Sequence, residues 1–182
     1  NNGMDELKSL YLTALKSVTW QSPEHFSYRD EHSKRWLLES GSLSRLLAQR
    51  CSHLGVDLLN NSTVESDALT IDELNCLPAE SCLLREVVLS GDASPWVIGR
   101  TLIPISSLQG QQSDLARQGT IPLGLTVFSA EDVRRDGLEL GWAKLPTGDL
   151  MARRSTLWMN HKPMLVAELF LPDAPIYTKE KV

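Results

Sequence analysis

Two strand–turn–strand segments place the strongest constraint on how this chain can fold. Segments of strand length with apolar residues occur at Leu83–Leu89 and Trp96–Pro104, and again at Ala152–Met159 and Met164–Leu171. A short segment rich in turn-forming residues separates the two stretches of each pair, which is typical of a β-hairpin. Because strands joined by tight turns run antiparallel, the sequence predicts an antiparallel sheet.

Helical patterns are concentrated in the first third of the chain. Residues 4–18 carry apolar side chains at helical spacing, a second helix is predicted over Asp30–Glu39, and Ser42 has the chemistry of an N-cap for a third. Shorter strands are predicted at Gly55–Leu59 and Arg134–Trp142. Hairpins combined with these helices predict an antiparallel sheet covered by helices, an α+β domain.

The segments between these elements are predicted to be mostly loop. They are polar, rich in turn-forming residues, or interrupted by Pro and Gly: 60–77, 106–119, 121–128 and 146–149. Segment 106–119 resembles a short polar helix with loops, and segment 121–128 suits a turn at a helix start or a flap. A length of 182 residues and a hydrophobic content of 42% are enough for one domain over residues 1–182. We expect residues 1–3 to be a cloning remnant.

Charge and hydropathy exclude several classes of protein. The net charge is −5, and no stretch is dense in Lys and Arg, so binding to a nucleic acid is not the expected task. The longest apolar runs fall short of the ~20 residues that a membrane helix needs. The start of the sequence has neither the basic leader nor the apolar segment of a signal peptide. We therefore expect a cytoplasmic protein without membrane insertion, and a monomer because no coiled-coil pattern is present.

Neither the cysteines nor the histidines are spaced like metal ligands. The three cysteines form no paired-ligand motif, and their odd number suits reduced thiols. The four histidines are scattered. Neither a Walker loop nor a Gly-rich dinucleotide fingerprint in its strand–turn–helix context is present. We predict no metal and no cofactor; the residues considered are Cys51, Cys76, Cys82, His25, His32, His53 and His161.

Glu168 is a lone carboxylate within an apolar strand. Strand side chains alternate between faces, so Met164, Val166, Glu168 and Phe170 share one face, where their neighbours exclude water. A carboxylate there is costly unless it is protonated, paired or hydrogen-bonded, and a carboxyl group with a raised pKa suits general acid or base chemistry near neutrality. A glutamate at a strand edge that reaches solvent, or a structural ion pair, would give the same pattern.

Arg85 interrupts another predicted strand. Alternation places it on the same face as Val87 and Leu89, among aliphatic side chains. The guanidinium of Arg85 is permanently charged, so in such a setting it requires a planar anionic partner. That partner is either the carboxylate of a ligand or a protein carboxylate, for which Glu86 and Glu168 are the candidates.

Five motifs, taken in order, resemble those of the chorismate pyruvate-lyase family. The resemblance runs from about Gly41 to Tyr177. It implies a sheet of about six antiparallel strands with helices on one side and a ligand enclosed beneath flaps. It also implies the cofactor-free conversion of chorismate to 4-hydroxybenzoate and pyruvate at the start of ubiquinone biosynthesis. The motifs are Leu84–Leu89, Pro95-Trp96 with Gly99-Arg100-Thr101, Pro122-Leu123-Gly124, Ala152-Arg153-Arg154-Ser155 and Ala167–Pro172.

The resemblance also implies roles for individual residues. Arg85 would bind the ring carboxylate, and Glu168 would lie beside the ring 4-hydroxyl. Main-chain amides at Leu123 and near Leu43 would complete the carboxylate site. For Glu168 three tasks stay open: taking the ring proton, donating to the departing enolpyruvyl group, or orienting the hydroxyl.

Two consecutive arginines are candidates for a second contact. Chorismate carries another carboxylate on its enolpyruvyl group, and Arg153 or Arg154 would meet it from one face of the strand. Because consecutive strand residues point to opposite faces, only one of the two enters that face. Ion pairing that closes the sheet edge is the alternative role for both.

A function from a different class stays open at the level of sequence. The same sheet architecture resembles the effector-binding domains of some bacterial transcription regulators, in which an arginine in an apolar strand holds a carboxylate effector. The alternative to catalysis is therefore a domain of the same fold that binds or senses a small aromatic acid.

Overall fold

One six-stranded antiparallel sheet forms the centre of the computed structural model, which describes residues 2–108 and 133–178. The spatial order of the strands is β1-β2-β3-β6-β5-β4, and every neighbouring pair is antiparallel. This confirms the predicted α+β class and its sheet. The strands are β1 (Leu54–Val64), β2 (Cys82–Gly91), β3 (Ser94–Pro104), β4 (Val133–Ala143), β5 (Leu150–Met159) and β6 (Lys162–Phe170).

Both predicted hairpins are present. The turn between β2 and β3 holds Asp92 and Ala93 at positive φ, and the turn between β5 and β6 holds Asn160 and His161 at positive φ. Two consecutive residues in that conformation are typical of type I′ turns, whose twist matches that of the flanking strands. Strands β3 and β6 pair with each other, so the two hairpins form the middle of the sheet.

Five α-helices accompany the sheet in the described part of the chain. Asp30 and Ser42, the N-caps of the second and third helices, accept hydrogen bonds through their side chains from the main-chain N–H groups of Ser33 and Arg45. The N-cap role predicted for Ser42 is therefore confirmed. The helices are α1 (Asn2–Lys16), α2 (Glu31–Leu37), α3 (Leu43–Ala48), α4 (Ile71–Leu74) and α5 (Ile105–Leu108).

Helices cover both faces of the sheet. On the front face, Leu37 of α2 belongs to one buried cluster with Val97 and Phe170. On the back face, Leu15 of α1 belongs to another with Ile98. The prediction placed helices on one side only. It differs from the structure because β2 is buried along nearly its whole length, and a strand buried on both faces needs a layer on each.

Strand β1 is longer than the sequence pattern indicated. It continues through Asn60 and Asn61 to Val64, in a stretch predicted to be turn-rich. The strand lies at the edge of the sheet and has a register shift between Leu58 and Asn60. Polar residues are common on edge strands because one side of the strand faces solvent, so polarity there did not indicate a loop.

The segment that follows β1 also contains an unpredicted helix. Thr70 caps α4 through a capping box, in which Thr70 and Glu73 each bind the other's main-chain N–H. The sequence signature of this motif, Thr followed three residues later by Glu, is present in the chain. Of the predicted helix over 106–119, α5 covers the start; its remainder and the predicted flap at 121–128 lie outside the described residues.

Candidate active site

A cavity opens on the front face of the sheet beneath the start of α3. It contains about 540 Å³ of space not filled by atoms, counting its mouth. Its walls are mostly apolar, with two arginines and one glutamate among them, a composition typical of small-molecule sites. The lining residues are Leu43, Ser44, Arg85, Val87, Leu89, Val97, Gly99, Thr101, Arg135, Leu157, Val166 and Glu168.

Arg85 lies in this cavity wall, on the face that alternation predicted. Arg85 is only 2% exposed, and burial lowers the pKa of its guanidinium from the ordinary value. Glu86, one of its candidate partners, points to the back face, as the next residue of a strand must. There Glu86 accepts a 2.8 Å hydrogen bond from Arg100, so the prediction that Glu86 could pair with Arg85 was wrong.

Glu168 lies in the same cavity and is paired with Arg153. The two residues are directly opposed on β6 and β5, and Arg153 Nε donates to Glu168 Oε1 over 2.7 Å. The carboxylate is 12% exposed and the guanidinium is fully buried. Glu168 therefore combines a structural ion pair with a position in the cavity wall.

Arg153 is held on the front face, beside the cavity, by the end of α2. Its Nη1 donates to the main-chain oxygens of Trp36 and Glu39, at 3.4 and 3.0 Å. Carbonyl groups at a helix C-terminus carry partial negative charge, so this end of α2 suits a cation. The Nη2 of Arg153 is buried without a hydrogen-bond partner among the described residues. Arg153 fixes Glu168 but is not itself a lining residue.

The structure does not bring Arg154 to the cavity. Its side chain points to the back face, where it pairs with Asp72 and with Glu139 and stands 4.8 Å from the centre of the Trp20 ring. Of the two consecutive arginines, alternation thus directs Arg153 to the front face and Arg154 to an ion-pair network on the back face. That network corresponds to the ion-pairing alternative stated for Arg154.

Arg135 of β4 is a cavity residue that the sequence patterns did not identify. Its guanidinium donates to Ser155 Oγ through Nη1 and to Gly41 O through Nη2, the latter at 3.4 Å. Burial lowers the pKa of Arg135 to about 10, with a further contribution from the charge of Arg153; Glu168 and Glu39 act in the opposite direction.

A bulge explains why Arg135 was missed. The pairing of β4 with β5 shifts between Asp136 and Glu139, around Gly137 at φ 60°. Leu138, Leu140 and Trp142 have period two, and extending that period backwards puts Arg135 on the opposite face from Leu140. The extra residue in the bulge reverses the alternation, so Arg135 joins the front face. The Asp-Gly dipeptide was the available signal.

Behind the cavity, Arg100 forms a buried ion-pair network on the back face. Its guanidinium contacts Glu73 of α4 and Glu86 of β2, with closest distances of 2.8 Å each. Burial alone would raise the pKa of Glu73, but the hydrogen bonds and charge of Arg100 more than offset it, so the pKa lies below the ordinary value. The network ties α4 to β3 and to β2, the strand that carries Arg85.

The main-chain positions expected to bind a carboxylate are only partly described. Leu43 is the first residue of α3 and lines the cavity together with Ser44. Main-chain N–H groups in the first turn of a helix have no partner within the helix. Leu123, the second expected position, lies outside the described residues.

Within residues 2–108 and 133–178, no group of three or more His, Cys, Asp and Glu side chains is arranged to hold a metal ion. No helix there is both long and apolar enough to cross a membrane.

Sequence comparisons match this chain to one family. The family model described as chorismate lyase matches residues 14–182. A Vibrio parahaemolyticus protein named "Probable chorismate pyruvate-lyase" is 59% identical, over 98% of this chain and 100% of its own length. A Hamiltonella defensa protein named "Chorismate pyruvate-lyase" is 38% identical, over 90% of both chains.

Solved structures share the fold with much lower sequence identity. The effector domain of PhnF from Mycobacterium smegmatis matches with a TM-score of 0.53 and 12% identity, over 75% of this chain and 91% of that one. A ligand-binding domain of a GntR-family transcriptional regulator from Bordetella bronchiseptica matches with a TM-score of 0.50 and 19% identity, over 67% and 86%. These matches confirm the expected likeness of the fold to effector-binding domains.

Proposed function

The chain belongs to the chorismate lyase family, and from this premise we propose that it is a chorismate pyruvate-lyase, converting chorismate to 4-hydroxybenzoate and pyruvate. The observation that carries the proposal is the presence of Arg85 and Glu168 in the wall of one cavity. Both residues fall at the positions that the family motifs assign to the ligand. The reaction is a carbon–oxygen lyase reaction that opens ubiquinone biosynthesis, carried out without a cofactor by a monomeric cytoplasmic protein.

The chemistry matches a site with few functional groups. The ether bond between the ring and the enolpyruvyl group breaks, and the proton on the neighbouring hydroxyl-bearing ring carbon is removed. The enolpyruvyl group takes up a proton and leaves as pyruvate, while the ring becomes aromatic. Since aromatisation supplies the driving force, the protein needs mainly to position the substrate, complement its charge and exclude water.

Arg85 is proposed to bind the ring carboxylate. Its guanidinium fork matches a carboxylate geometrically, and its burial in the cavity wall makes an anionic ligand a favourable partner. The main-chain N–H of Leu43 at the start of α3, together with that of Leu123, would complete this carboxylate site.

Glu168 is proposed to act on the ring 4-hydroxyl and the adjacent proton. Its Oε1 accepts a 2.7 Å hydrogen bond from Arg153 Nε, and the residue lines the cavity. Taking the ring proton, donating to the departing group and orienting the hydroxyl all stay open as its task.

The experiment that tests the proposal is direct turnover. The purified protein is incubated with chorismate, and 4-hydroxybenzoate and pyruvate are measured separately, against chorismate without protein. We expect both products in equal amounts. If 4-hydroxybenzoate binds but chorismate is not converted, the protein is a binding or sensing domain of the same fold.

A further inference from the structure

The hydroxyl group of Tyr177 links β5 to β6 at the place where their pairing ends. The outermost opposed pair in this direction is Ala152 with Leu169, and the next residues outward are Met151 and Phe170. Tyr177 Oη accepts a hydrogen bond from Met151 N over 2.8 Å and donates one to Phe170 O over 2.7 Å. A single hydroxyl can do both, so it connects the two strands one step beyond their last pair.

This link lies close to the ion pair beside the cavity. Met151 precedes Arg153 by two positions, and Phe170 follows Glu168 by two. Because strand side chains alternate, all four residues belong to the front face. Arg153 and Glu168 are directly opposed on the same two strands. The separation of β5 and β6 at the link therefore bears on how the two charged side chains face each other.

The turn that carries this tyrosine is also joined to α2. It is a short 3-10 turn, Pro175–Tyr177. His32 Nε2 of α2 donates to Pro175 O over 2.7 Å, and Ile176 is fully buried in the front-face cluster to which α2 contributes. The end of α2 binds Arg153 through main-chain oxygens. One turn is thus tied both to the helix and to the strands that hold the arginine.

The phenol of Tyr177 keeps its proton near neutrality. Burial raises its pKa well above the ordinary value, and the opposing effects of the Met151 N–H and of Arg29 do not offset this. A protonated hydroxyl is needed for the bond to Phe170 O, which can only accept. Both hydrogen bonds of the link therefore persist where the protein is assayed.

We propose that Tyr177 is a positioning residue for the reaction, whose hydroxyl sets the end of the β5–β6 pair and thereby the orientation of Glu168 toward the ligand. The inference rests on the proposed function. Tyr177 is not a lining residue of the cavity, so it acts through the Arg153–Glu168 pair. A misplacement of about 1 Å can cost about 100-fold in rate. Binding through Arg85 depends less on it, since β2 pairs with neither β5 nor β6.

The test replaces Tyr177 by Phe, which removes the hydroxyl and keeps the ring. The rate of a single turnover, measured with protein in excess over chorismate, reports the chemical step even where product release limits kcat. We expect Tyr177→Phe to lower this rate by about 10-fold. The affinity for 4-hydroxybenzoate, measured by calorimetry, should change by less than about threefold, because Arg85 is untouched.

Tyr28→Phe is the matched control. Tyr28 also donates a hydrogen bond to a main-chain oxygen, that of Pro23, over 2.9 Å, and it packs against the same front-face cluster. That bond lies within the connector between α1 and α2, not between strands. Both variants should unfold at a lower urea concentration than the native protein, while Tyr28→Phe should keep the native single-turnover rate.

A spectroscopic signature tests the positioning without turnover. The Arg153 Nε–H group, which donates to Glu168 over 2.7 Å, gives a ¹⁵N–¹H signal that is identified by its absence in Arg153→Lys. We expect Tyr177→Phe to shift this signal and to accelerate its exchange with water by about 10-fold. Tyr28→Phe should leave the signal at its native position.

The outcomes separate this inference from the proposed function. A slower single turnover together with a shifted Arg153 signal in Tyr177→Phe supports the positioning role. A native rate, a native Arg153 signal, or an equal loss of rate in Tyr28→Phe overturns it. If the native protein does not convert chorismate, the proposed function fails, and the Arg153 signal alone decides whether Tyr177 orients Glu168.

Discussion

Arg153 and Glu168 lie directly opposite each other on β5 and β6 and form an ion pair, in which Arg153 anchors the pair and Glu168 faces the cavity. The arginine is fully buried and reaches the end of α2, while the carboxylate borders the cavity. A carboxylate anchored in this way cannot swing away from a ligand without breaking the pair. The geometry is that of a preorganised acceptor.

Glu168→Gln should lower kcat for chorismate by about 100-fold if the carboxylate takes the ring proton. An amide keeps the shape and some of the hydrogen bonding but cannot accept that proton. The measurement is steady-state kinetics on protein shown to be folded by circular dichroism. Glu86→Gln is the matched control, because Glu86 is also paired with an arginine but lies on the back face. A folded Glu168→Gln protein with native kcat would leave only an orienting role or none.

Arg153→Met should destabilise the fold by about 3 kcal/mol or more, because it leaves Glu168 without its charged partner in a mostly buried place. Adding Glu168→Gln should recover part of this loss, with a coupling of about 1–3 kcal/mol between the two sites. Urea unfolding of the four proteins measures both quantities. Strictly additive effects would show that the 2.7 Å contact contributes no coupling.

Arg85→Gln should weaken the binding of 4-hydroxybenzoate by about 2 kcal/mol, or ~30-fold, because a charge-assisted contact to its carboxylate is lost. Calorimetry or fluorescence titration measures the affinity. Arg154→Gln is the control for loss of a buried arginine, since Arg154 faces away from the cavity. It should cost stability and leave the affinity of the folded protein unchanged. Native affinity in Arg85→Gln would remove Arg85 from the site.

Glu73→Gln should reduce stability in a pH-dependent way. The pKa of Glu73 in the folded protein is below the ordinary value of 4.5, so its contribution is fully present above that value. The contribution is lost as the pH falls through the lower folded-state pKa. We expect a deficit of about 3 kcal/mol near neutrality that shrinks below the ordinary value. Urea unfolding across this range measures the difference, and a constant deficit would contradict the role of the Arg100 pair.

The positions of Arg85 and Glu168 could be predicted from the sequence because both lie in regular strands. Period-two alternation is reliable there, and the apolar neighbours Val87 and Val166 indicate the buried face. The same reasoning failed at Arg135, because the bulge around Gly137 reverses the alternation. A bulge is a local departure from the period that the argument assumes.

The pairing of Arg153 with Glu168 could have been predicted from the sequence, but the length of the turn was misjudged. With a two-residue turn at Asn160–His161, counting outward along both strands places the two residues opposite each other. Treating the turn as four residues, Asn160–Pro163, shifts the register by two residues and places Arg153 opposite Phe170 instead. Pairings between distant segments, such as Arg100 with Glu73, depend on how α4 packs on the sheet, and no local pattern specifies that packing.

The alternation of Arg85 and Glu86 along β2 also bears on how the chain reaches its native state. If β2 slipped by one residue against β3, Glu86 would enter the cavity and Arg85 would face Glu73 on the back. Such a mispaired chain would repel an anionic ligand that the correctly paired chain attracts. An aromatic carboxylate present during refolding therefore selects for correct strand pairing and should increase the recovered yield of native protein.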